Sequence, residues 1–321
     1  MLEPTQTRRT MLASATAALA LPAQAKVRDR FEDPSSKGVA GYSESSMVVF
    51  VDPVRQVAAS LRICRFPDLG LSWLWCHTLT PKGFYGYAHH AAACGSERLF
   101  ARADQGAFDA TANGARASLR RSGSDQIVSG VTFDAKIAFQ DRADFELGPG
   151  RSDGRFHGAF TPTHLHQGQF DAGRREQVGM MEAELEIAGS RFALQGPAKY
   201  HEQAQVTPRF VDAFSYLAYW GAQSSGVAIR TLANSSGATL EGPKAAAVVG
   251  FRATPLAAQR RFELARRGTE PLSGELTTLT RFSLPIFGER WQGTFVRGRA
   301  GSDPVVGMFN SWRAEGLSDL A

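Results

Sequence analysis

The sequence lacks the signatures of several common protein classes. Its three cysteines, Cys64, Cys76 and Cys94, form no close-spaced zinc pattern. A glycine-rich phosphate loop, a Gly-x-Ser-x-Gly elbow and a His-Glu-x-x-His motif are all missing. After the N-terminal region no stretch approaches the roughly 18 apolar residues of a membrane-spanning helix, so the mature chain is expected to be soluble. Because the cysteines lie among apolar residues, buried thiols are favoured, and one disulfide with one cysteine left over is the alternative.

A large excess of one charge is also missing. The chain has 36 Lys and Arg residues against 31 Asp and Glu residues, which gives a net charge of +5. No dense basic block of the kind found in nucleic-acid-binding proteins is present. We therefore expect no nucleic-acid partner, and at most a peripheral contact with anionic membranes. The pair Arg260-Arg261 is interpreted as part of a solvated strand face.

The N-terminal residues resemble an export signal. Thr7-Arg8-Arg9-Thr10 is a twin-arginine core, an Ala-rich run follows it, and Ala23-Gln24-Ala25 is a small-x-small cleavage site. Residues 1–25 are therefore predicted to be a twin-arginine signal peptide. This predicts the twin-arginine translocase as a partner during export, and a periplasmic or exported location.

The remaining residues have the pattern of an all-β protein. Helix signals are scarce, and short alternating apolar runs recur between Gly, Pro, Asn and Asp residues. Strands at roughly ten-residue spacing favour barrels or sandwiches. A hairpin is expected across Ala188-Gly189-Ser190, and the best boundary lies near 190–197. This predicts two domains, 26–190 and 191–321.

Histidines are concentrated in the segment 157–221, which contains His157, His164, His166 and His201. Since residues i and i+2 of a strand share a face, His164 and His166 are expected to point into one cavity. One hypothesis is that these two and His201 bind a metal ion. Hydrogen-bonding histidines without a metal are favoured, so no metal or other cofactor is predicted.

A second cluster of polar residues follows Gly196-Pro197, where a strand is expected to end. His201, Glu202 and Gln203 then occur in a row. A buried carboxyl group has a raised pKa, so Glu202 is predicted to be a general acid, with His201 as its partner or as a base. A solvated surface turn is the alternative interpretation.

Several motifs occur in an order typical of one superfamily. They are Arg174-Arg175-Glu176-Gln177, Gly179, Glu184-Leu185-Glu186-Ile187-Ala188-Gly189, Gly196 and His201-Glu202-Gln203, with a weaker likeness through Trp291-Gln292-Gly293 and Val305-Val306-Gly307 to Trp312. The chain resembles, over most of 42–313, the lipocalin-like double-barrel proteins of the hydroxyneurosporene synthase (carotenoid 1,2-hydratase) and AttH type.

This resemblance implies two consecutive lipocalin-like (calycin) antiparallel β-barrels with a lipophilic pocket. Such relatives include hydratases, cyclases and isomerases of polyenes and terpenoids, alongside members without a known activity. Relatives of the hydratase kind usually have a His-Asp or Asp-His pair followed by an aromatic residue and Gly. This chain has His201-Glu202-Gln203-Ala204-Gln205 there, so the acid–base pair is replaced and the Trp-Gly is missing.

Taken together, these features predict an exported protein that binds a lipophilic isoprenoid-type molecule. A hydratase, cyclase or isomerase that protonates an alkene needs an acid, a group that positions water, for which His164 or His166 is expected, and aromatic walls. The expected ligand-binding residues are Trp73, Trp75, Phe210, Phe214, Tyr216, Trp220, Glu176 and Gln177. Tyr216 and Trp220 are expected as walls, and core packing is an alternative for Trp73 and Trp75. A non-catalytic carrier of lipophilic molecules is the alternative function, and a metal-dependent oxygenase is a third.

Overall fold

A computed structural model describes residues 42–94, 105–123, 128–166, 174–206, 209–242, 244–254, 257–314 and 317. Within these ranges, the side chains of Cys94, Gln105, Gly106 and 164–166 are not described. The signal segment predicted at 1–25 lies outside the described residues. None of the described residues belongs to a helix long and apolar enough to cross a membrane.

Ten antiparallel strands close the first barrel. They are β1 Ser43–Asp52, β2 Val57–Phe66, β3 Leu71–Thr80, β4 Gly83–Cys94, β5 Gln105–Ala112, β6 Ala115–Gly123, β7 Val128–Phe139, β8 Ser152–His166, β9 Arg174–Ile187 and β10 Ser190–Gln205. Neighbouring strands follow the order of the chain, and β1 pairs with β10 to complete the circle. The pairing of β4 with β5 is short and joins Ala93 to Thr111 and Cys94 to Ala110.

Eight antiparallel strands close the second barrel. They are β11 Phe214–Gly221, β12 Ser224–Thr231, β13 Ser235–Glu241, β14 Lys244–Ala253, β15 Gln259–Arg266, β16 Leu272–Ile286, β17 Glu289–Ala300 and β18 Asp303–Trp312. Here β11 pairs with β18 to close the barrel. The prediction of an all-β chain with two consecutive antiparallel barrels is confirmed.

The boundary between the barrels differs from the predicted position near 190. The strand β10 continues through Gly196-Pro197 to Gln205, and it belongs to the first barrel. Proline has no N–H group to donate to a neighbouring strand. The pairing of β10 with β1 extends only from Gln205 to Ala198, so no hydrogen bond from Pro197 to β1 is required. The connection between the barrels therefore lies at 206–213.

Three apolar clusters hold the molecule together. One fills the first barrel, one fills the second, and one lies between them. In the cluster between the barrels, Trp75 lies 5.3 Å from Trp291 and Phe84 stacks 4.8 Å from Phe282, measured between ring centroids. Such aromatic pairs add to the stabilisation from burial alone. The barrels are therefore packed against each other through a shared core.

Strand alternation explains how one strand serves two of these clusters. Successive residues of a strand point to opposite faces. On β10, Tyr200 faces the interior of the first barrel and Glu202 contacts groups there. On the other face, Lys199 hydrogen-bonds to Tyr216 of the second barrel. The next residue on that face, His201, reaches the space between the barrels.

Candidate functional site between the two barrels

A cavity of about 290 Å³ lies between the two barrels. This volume is at the lower end of the range for small-molecule pockets, which is about 300–1,000 Å³. Both barrels contribute to its walls, which mix aromatic rings with charged and amide groups. The aromatic lining comprises Trp75, Phe210, Phe214, Tyr216 and Trp291, and the polar lining includes Arg62, His77, Arg174, His201, Gln203 and Arg209.

His201 in this wall is paired with a buried carboxylate group, that of Glu176. Glu176 on β9 and His201 on β10 are directly opposite each other in the antiparallel ladder. Side chains opposite each other on one face of a ladder are close neighbours. His201 Nδ1 lies 2.9 Å from Glu176 Oε1, and both residues are buried.

Two cations hold Glu176 in its ionised form. Lys199 Nζ lies 2.5 Å from Oε2, and Arg174 Nε donates a hydrogen bond of 2.8 Å to Oε1. Burial alone raises the pKa of Glu176, but the charges of Lys199 and Arg174, together with the hydrogen bond from His201, outweigh it and hold this pKa well below its usual value. A carboxylate can only accept a hydrogen bond, so His201 Nδ1 must carry the proton.

His201 is consequently a neutral imidazole with one basic nitrogen. Burial lowers the pKa of His201 to about 3, against the opposing effect of Glu176. Because Nδ1–H donates to Glu176, the lone pair lies on Nε2. This is the arrangement by which a carboxylate fixes the tautomer and orientation of a catalytic histidine.

The carboxylate–histidine pair is also connected to the second barrel. Lys199 Nζ donates a hydrogen bond of 2.6 Å to the Tyr216 hydroxyl, and that hydroxyl donates to Glu176 Oε1 at 3.4 Å. The pKa of Lys199 is raised, because the lowering by burial is outweighed by Glu176. One buried network therefore spans the barrel interface.

Two arginines bring positive charge into the cavity without a carboxylate at ion-pair distance. Arg62 lies over the ring of Trp75, with Cζ 4.8 Å from the centroid, and its buried Nε has no hydrogen-bond partner among the described residues. Arg209 donates to the Ser43 hydroxyl at 2.8 Å and to the Gln203 amide oxygen at 3.3 Å. Burial lowers the pKa of Arg62 to about 10, so it stays protonated at neutral pH. Among the described residues, no ion pair links either guanidinium group to an acid.

The segment between the barrels closes one side of the cavity. Phe210 has a φ of 61°, a backbone conformation that costs energy for a residue with a side chain. Trp312 Nε1 donates to the Phe210 carbonyl at 3.1 Å and fixes this conformation. The Phe210 ring lies 5.8 Å from the rings of both Trp73 and Trp75.

Comparison with known proteins gives matches among solved structures. No family model matches the chain, and no curated protein matches it. An AttH-type protein from Nitrosomonas europaea superposes with a TM-score of 0.58 at 10% identity, over 92% of this chain and 98% of that chain. CghA superposes with a TM-score of 0.56 at 10% identity, over 85% of this chain and 88% of that chain, in a structure of the protein and in one with Sch210972.

This chain has the lipocalin-like double-barrel fold. The resemblance inferred from the motifs at 174–203 is thereby confirmed for the fold. Within the double barrel, the structure brings together seven of the residues named from the sequence. They are Glu176, His201, Gln203, Trp75, Phe210, Phe214 and Tyr216.

The expected pair of His201 and Glu202 is not formed. As neighbours on β10 they point to opposite faces, so Glu202 lies inside the first barrel of the double barrel. There the Tyr200 hydroxyl donates a 2.5 Å hydrogen bond to Glu202 Oε1, and Arg175 Nη1 lies 3.2 Å from Oε2. Arg121 Nε lies 3.3 Å from Oε1. The histidine is paired instead with Glu176, which had been expected only as a ligand-binding residue.

Besides Glu176, three predicted ligand-binding residues lie outside the cavity lining. Gln177 is buried and pairs across the ladder with Tyr200, which faces the first-barrel interior. Trp220 is fully buried and donates from Nε1 to the Pro197 carbonyl at 3.2 Å. Trp73 packs behind the lining, where it stacks 5.9 Å from Trp75. For Trp73, the alternative of core packing fits this position.

The histidines on β8 are placed only through their backbone. His164 pairs with Val178 and His166 with Glu176 in the ladder, and their side chains are outside the described part. The described side chains include no group of three metal-ligating residues. The metal hypothesis that involves His164 and His166 therefore stays untested. Cys64 and Cys76 are buried free thiols, and the side chain of Cys94 is likewise not described.

The sequence interpretation missed Arg62, Arg174, Arg209 and His77. Arg62 could have been recognised from the sequence, because it interrupts the apolar run of β2, at a position that faces the second barrel. His77 packs 4.6 Å from the ring of Phe282, and burial together with Arg62 lowers its pKa to about 3. Both residues occur on strands that otherwise read as core.

Proposed function

We propose that this chain is an enzyme that moves a proton on a lipophilic substrate held between the barrels, with His201 as the general base. The observation that carries this proposal is that His201, in the wall of an aromatic cavity, is paired with the buried carboxylate of Glu176. A base oriented by a carboxylate, together with nearby positive charge, suits a reaction that passes through an anion.

This proposal replaces the acid-catalysed protonation of an alkene expected from the sequence. Protonation of an alkene produces a carbocation, and the charges of Arg62 and Arg209 would repel a cation in the cavity. Glu176 is held in the ionised form, and Glu202 lies on the other face of β10. An anionic intermediate, by contrast, would be stabilised by both arginines.

The substrate class follows from these charges. In the proposed step, His201 Nε2 removes a proton from a carbon next to a carbonyl group, and the C–H electron pair passes to the carbonyl oxygen as an enolate. Arg62 and Arg209 stabilise this oxygen. Return of the proton to a second carbon gives an isomer, whereas its transfer to a departing β-hydroxyl group releases water. Negative charge in the cavity raises the pKa of His201, so the imidazole becomes a stronger base as the enolate forms.

Two further points support the proposal. The aromatic lining by Trp75, Phe214 and Trp291 suits an apolar substrate body. CghA, which has this fold, is known in a structure with Sch210972, and this supports the presence of a ligand in the fold. From residues 7–25 we also propose export by the twin-arginine pathway, which N-terminal sequencing of the protein recovered outside the cytoplasm would test.

The direct test is proton exchange on a lipophilic ketone. Benzylacetone is incubated with the protein in D2O, and loss of the α-proton signal is followed by NMR. We expect His201→Gln to slow the exchange by about 10²–10⁴-fold. His157→Gln is the matched control, since His157 lies beside the exposed Glu184 on the first barrel, outside the cavity lining. Equal exchange in the wild type and in His201→Gln would contradict the proposed role of His201.

The pH profile provides a second readout. A base must be unprotonated, and the pKa of His201 is about 3 in the free protein. We therefore expect kcat/KM to stay level between pH 7 and pH 5, because kcat/KM reports the ionisation of the free enzyme. A histidine with its ordinary pKa of about 6.5 would lose most of its activity in that interval.

A carrier of lipophilic molecules is the second candidate function. The contacts of Glu176 with Lys199 and Tyr216 favour this function, because they give Glu176 a structural role as a link between the barrels. A carrier would bind benzylacetone without exchanging its protons. In that case His201→Gln would retain binding, and the wild type would show no turnover.

A further inference from the structure

The second barrel contains a cavity separate from the one between the barrels. It opens at one end of that barrel and has a volume of about 760 Å³. The strands β11, β12, β14, β15, β17 and β18 contribute to its walls, as does the segment that follows β18. Nothing in the proposed function uses this space.

Arg260 lies in the wall of this cavity. On β15, exposed and buried residues alternate strictly, and Arg260 occupies a buried position in line with Phe262 and Leu264. Its exposed fraction is 3%. The interpretation of Arg260-Arg261 as a solvated face is therefore wrong for Arg260, because the alternation of the strand directs it into the barrel.

The guanidinium group of Arg260 is poorly satisfied. Its Cζ lies 3.3 Å from the centroid of the Phe309 ring, and Nη2 makes one long hydrogen bond of 3.4 Å to the Thr254 carbonyl. Both Nε and Nη1 are buried, and neither has a hydrogen-bond partner among the described residues. Buried donors without partners are costly, and a bound anion would supply the missing contacts.

No acidic residue compensates this charge in the described part of the chain. Glu289 also lines the cavity, but it is engaged by Arg313, whose Nε donates at 2.8 Å. Arg281 adds positive charge nearby, and it lowers the pKa of Arg260 together with burial, which is the larger cause, to about 9. At neutral pH, Arg260 is therefore a buried positive charge that faces an open cavity.

We propose that this cavity is a second binding site, which takes the carboxylate of an amphiphilic molecule such as a fatty acid. The planar guanidinium group has the geometry for a carboxylate, and Arg260 lines the cavity. The hydroxyl groups of Ser215 and Ser311 line the same cavity and provide further donors. Phe251 and Leu317 give it apolar walls for the hydrocarbon chain. This inference does not depend on the proposed reaction of His201.

The test is isothermal titration calorimetry of the full chain with decanoate and with decan-1-ol, which has the same chain length without the charge. We expect the wild type to bind decanoate more tightly than the alcohol. Arg260→Met should weaken decanoate binding by about 30-fold or more, because the buried carboxylate would lose its partner. The affinity for the alcohol should stay the same in the variant.

Two controls decide where the ligand binds and whether Arg260 has only a structural role. Arg62→Met tests the cavity between the barrels, and Arg261→Met, which removes the exposed guanidinium group next to Arg260, should leave decanoate binding unchanged. A loss of binding in Arg62→Met, and not in Arg260→Met, would overturn the proposal. Equal affinity of the wild type for decanoate and decan-1-ol would also overturn it, and this comparison needs no variant to fold. A melting temperature of ligand-free Arg260→Met at or above that of the wild type would exclude a purely structural role.

Discussion

The two barrels differ in how completely they compensate buried charge, although the second also contains an ion pair of 2.8 Å between Glu241 and the nearly buried Arg266. In the first, each acid that penetrates the interior has a cationic partner: Glu202 lies between Arg121 and Arg175, and Glu44 Oε1 accepts a hydrogen bond of 2.7 Å from Arg65. In the second, Arg260 faces an open cavity without an acid among its described contacts. The same architecture thus fills one interior with ion pairs and leaves a charge available in the other.

This difference separates structural charge from charge that suits a ligand. A buried ion pair is strongly destabilising when one partner is removed, because the other charge is left without compensation. A buried charge without a partner has nothing to lose in this way. Substitutions in the two barrels should consequently have effects of opposite sign, and four predictions follow this contrast from the largest effect to the smallest.

The largest loss of stability is expected from a substitution in the first barrel. Glu202→Gln removes the carboxylate that pairs with both Arg121 and Arg175, and it should lower the free energy of unfolding by about 3–5 kcal/mol. Urea denaturation followed by circular dichroism measures this change. Glu184→Gln removes an exposed acid on the outside of the same barrel and should leave the unfolding midpoint almost unchanged. A loss as small as that control in Glu202→Gln would remove the contrast between the barrels.

A smaller loss is expected at the interface. Tyr216→Phe removes the acceptor of the Lys199 hydrogen bond and should cost about 1–3 kcal/mol. Tyr219→Phe is the matched control, because the Tyr219 hydroxyl is buried in the second barrel and has no hydrogen-bond partner in the described part of the chain. We expect this control to be neutral or stabilising in the same denaturation experiment. Equal losses in both variants would mean that the link to Lys199 contributes nothing to stability.

Acid should weaken the interface through His77. The pKa of His77 is about 3 in the folded chain, against about 6.5 in the unfolded chain. Between these values the unfolded state binds the proton and the folded state does not, so stability falls as the pH falls. The slope is about 1.4 kcal/mol per pH unit. Between pH 7 and pH 5, His77→Phe should therefore lose about 2 kcal/mol less than the wild type, as measured by denaturation at the two pH values.

The smallest change, and the one of opposite sign, is expected in the second barrel. Arg260→Met replaces a buried cation without a carboxylate partner by an apolar side chain of similar length. We expect a gain of the order of 1 kcal/mol in the free energy of unfolding without ligand. A loss comparable to that of Glu202→Gln would show that the two interiors use their charges alike.

Alternation and turn residues were sufficient to predict the class of fold, but not its closure. The hairpin at Ala188-Gly189-Ser190 was predictable because the chain around it carries a clear turn signal. The extension of β10 beyond Pro197 was not, since it depends on where the partner strand β1 stops. Likewise β8 contains Gly158 and Pro162, residue types that are typical of strand ends and turns, yet both lie inside one long strand.

The site shows the same limit. Residue types alone indicated His201 and Glu176 as polar groups beside aromatic residues, and the structure brings these residues together. Their pairing depends on the register of β9 against β10, which places Glu176 opposite His201 and leaves Glu202 on the other face. A register is fixed by contacts along the whole hairpin, so a short motif could not reveal which acid is the partner.

The ladder between β1 and β10 has a consequence for how the chain folds. Closure of the first barrel joins Ser46 to Tyr200 across 154 residues, and contacts so distant in sequence form slowly because a long loop must be ordered first. Glu176 and His201 are only 25 residues apart, within one hairpin. During synthesis the pair of Glu176 and His201 can therefore assemble early, on a hairpin that has not yet paired with β1. The cavity around this pair is completed last, when the final strands of the second barrel leave the ribosome.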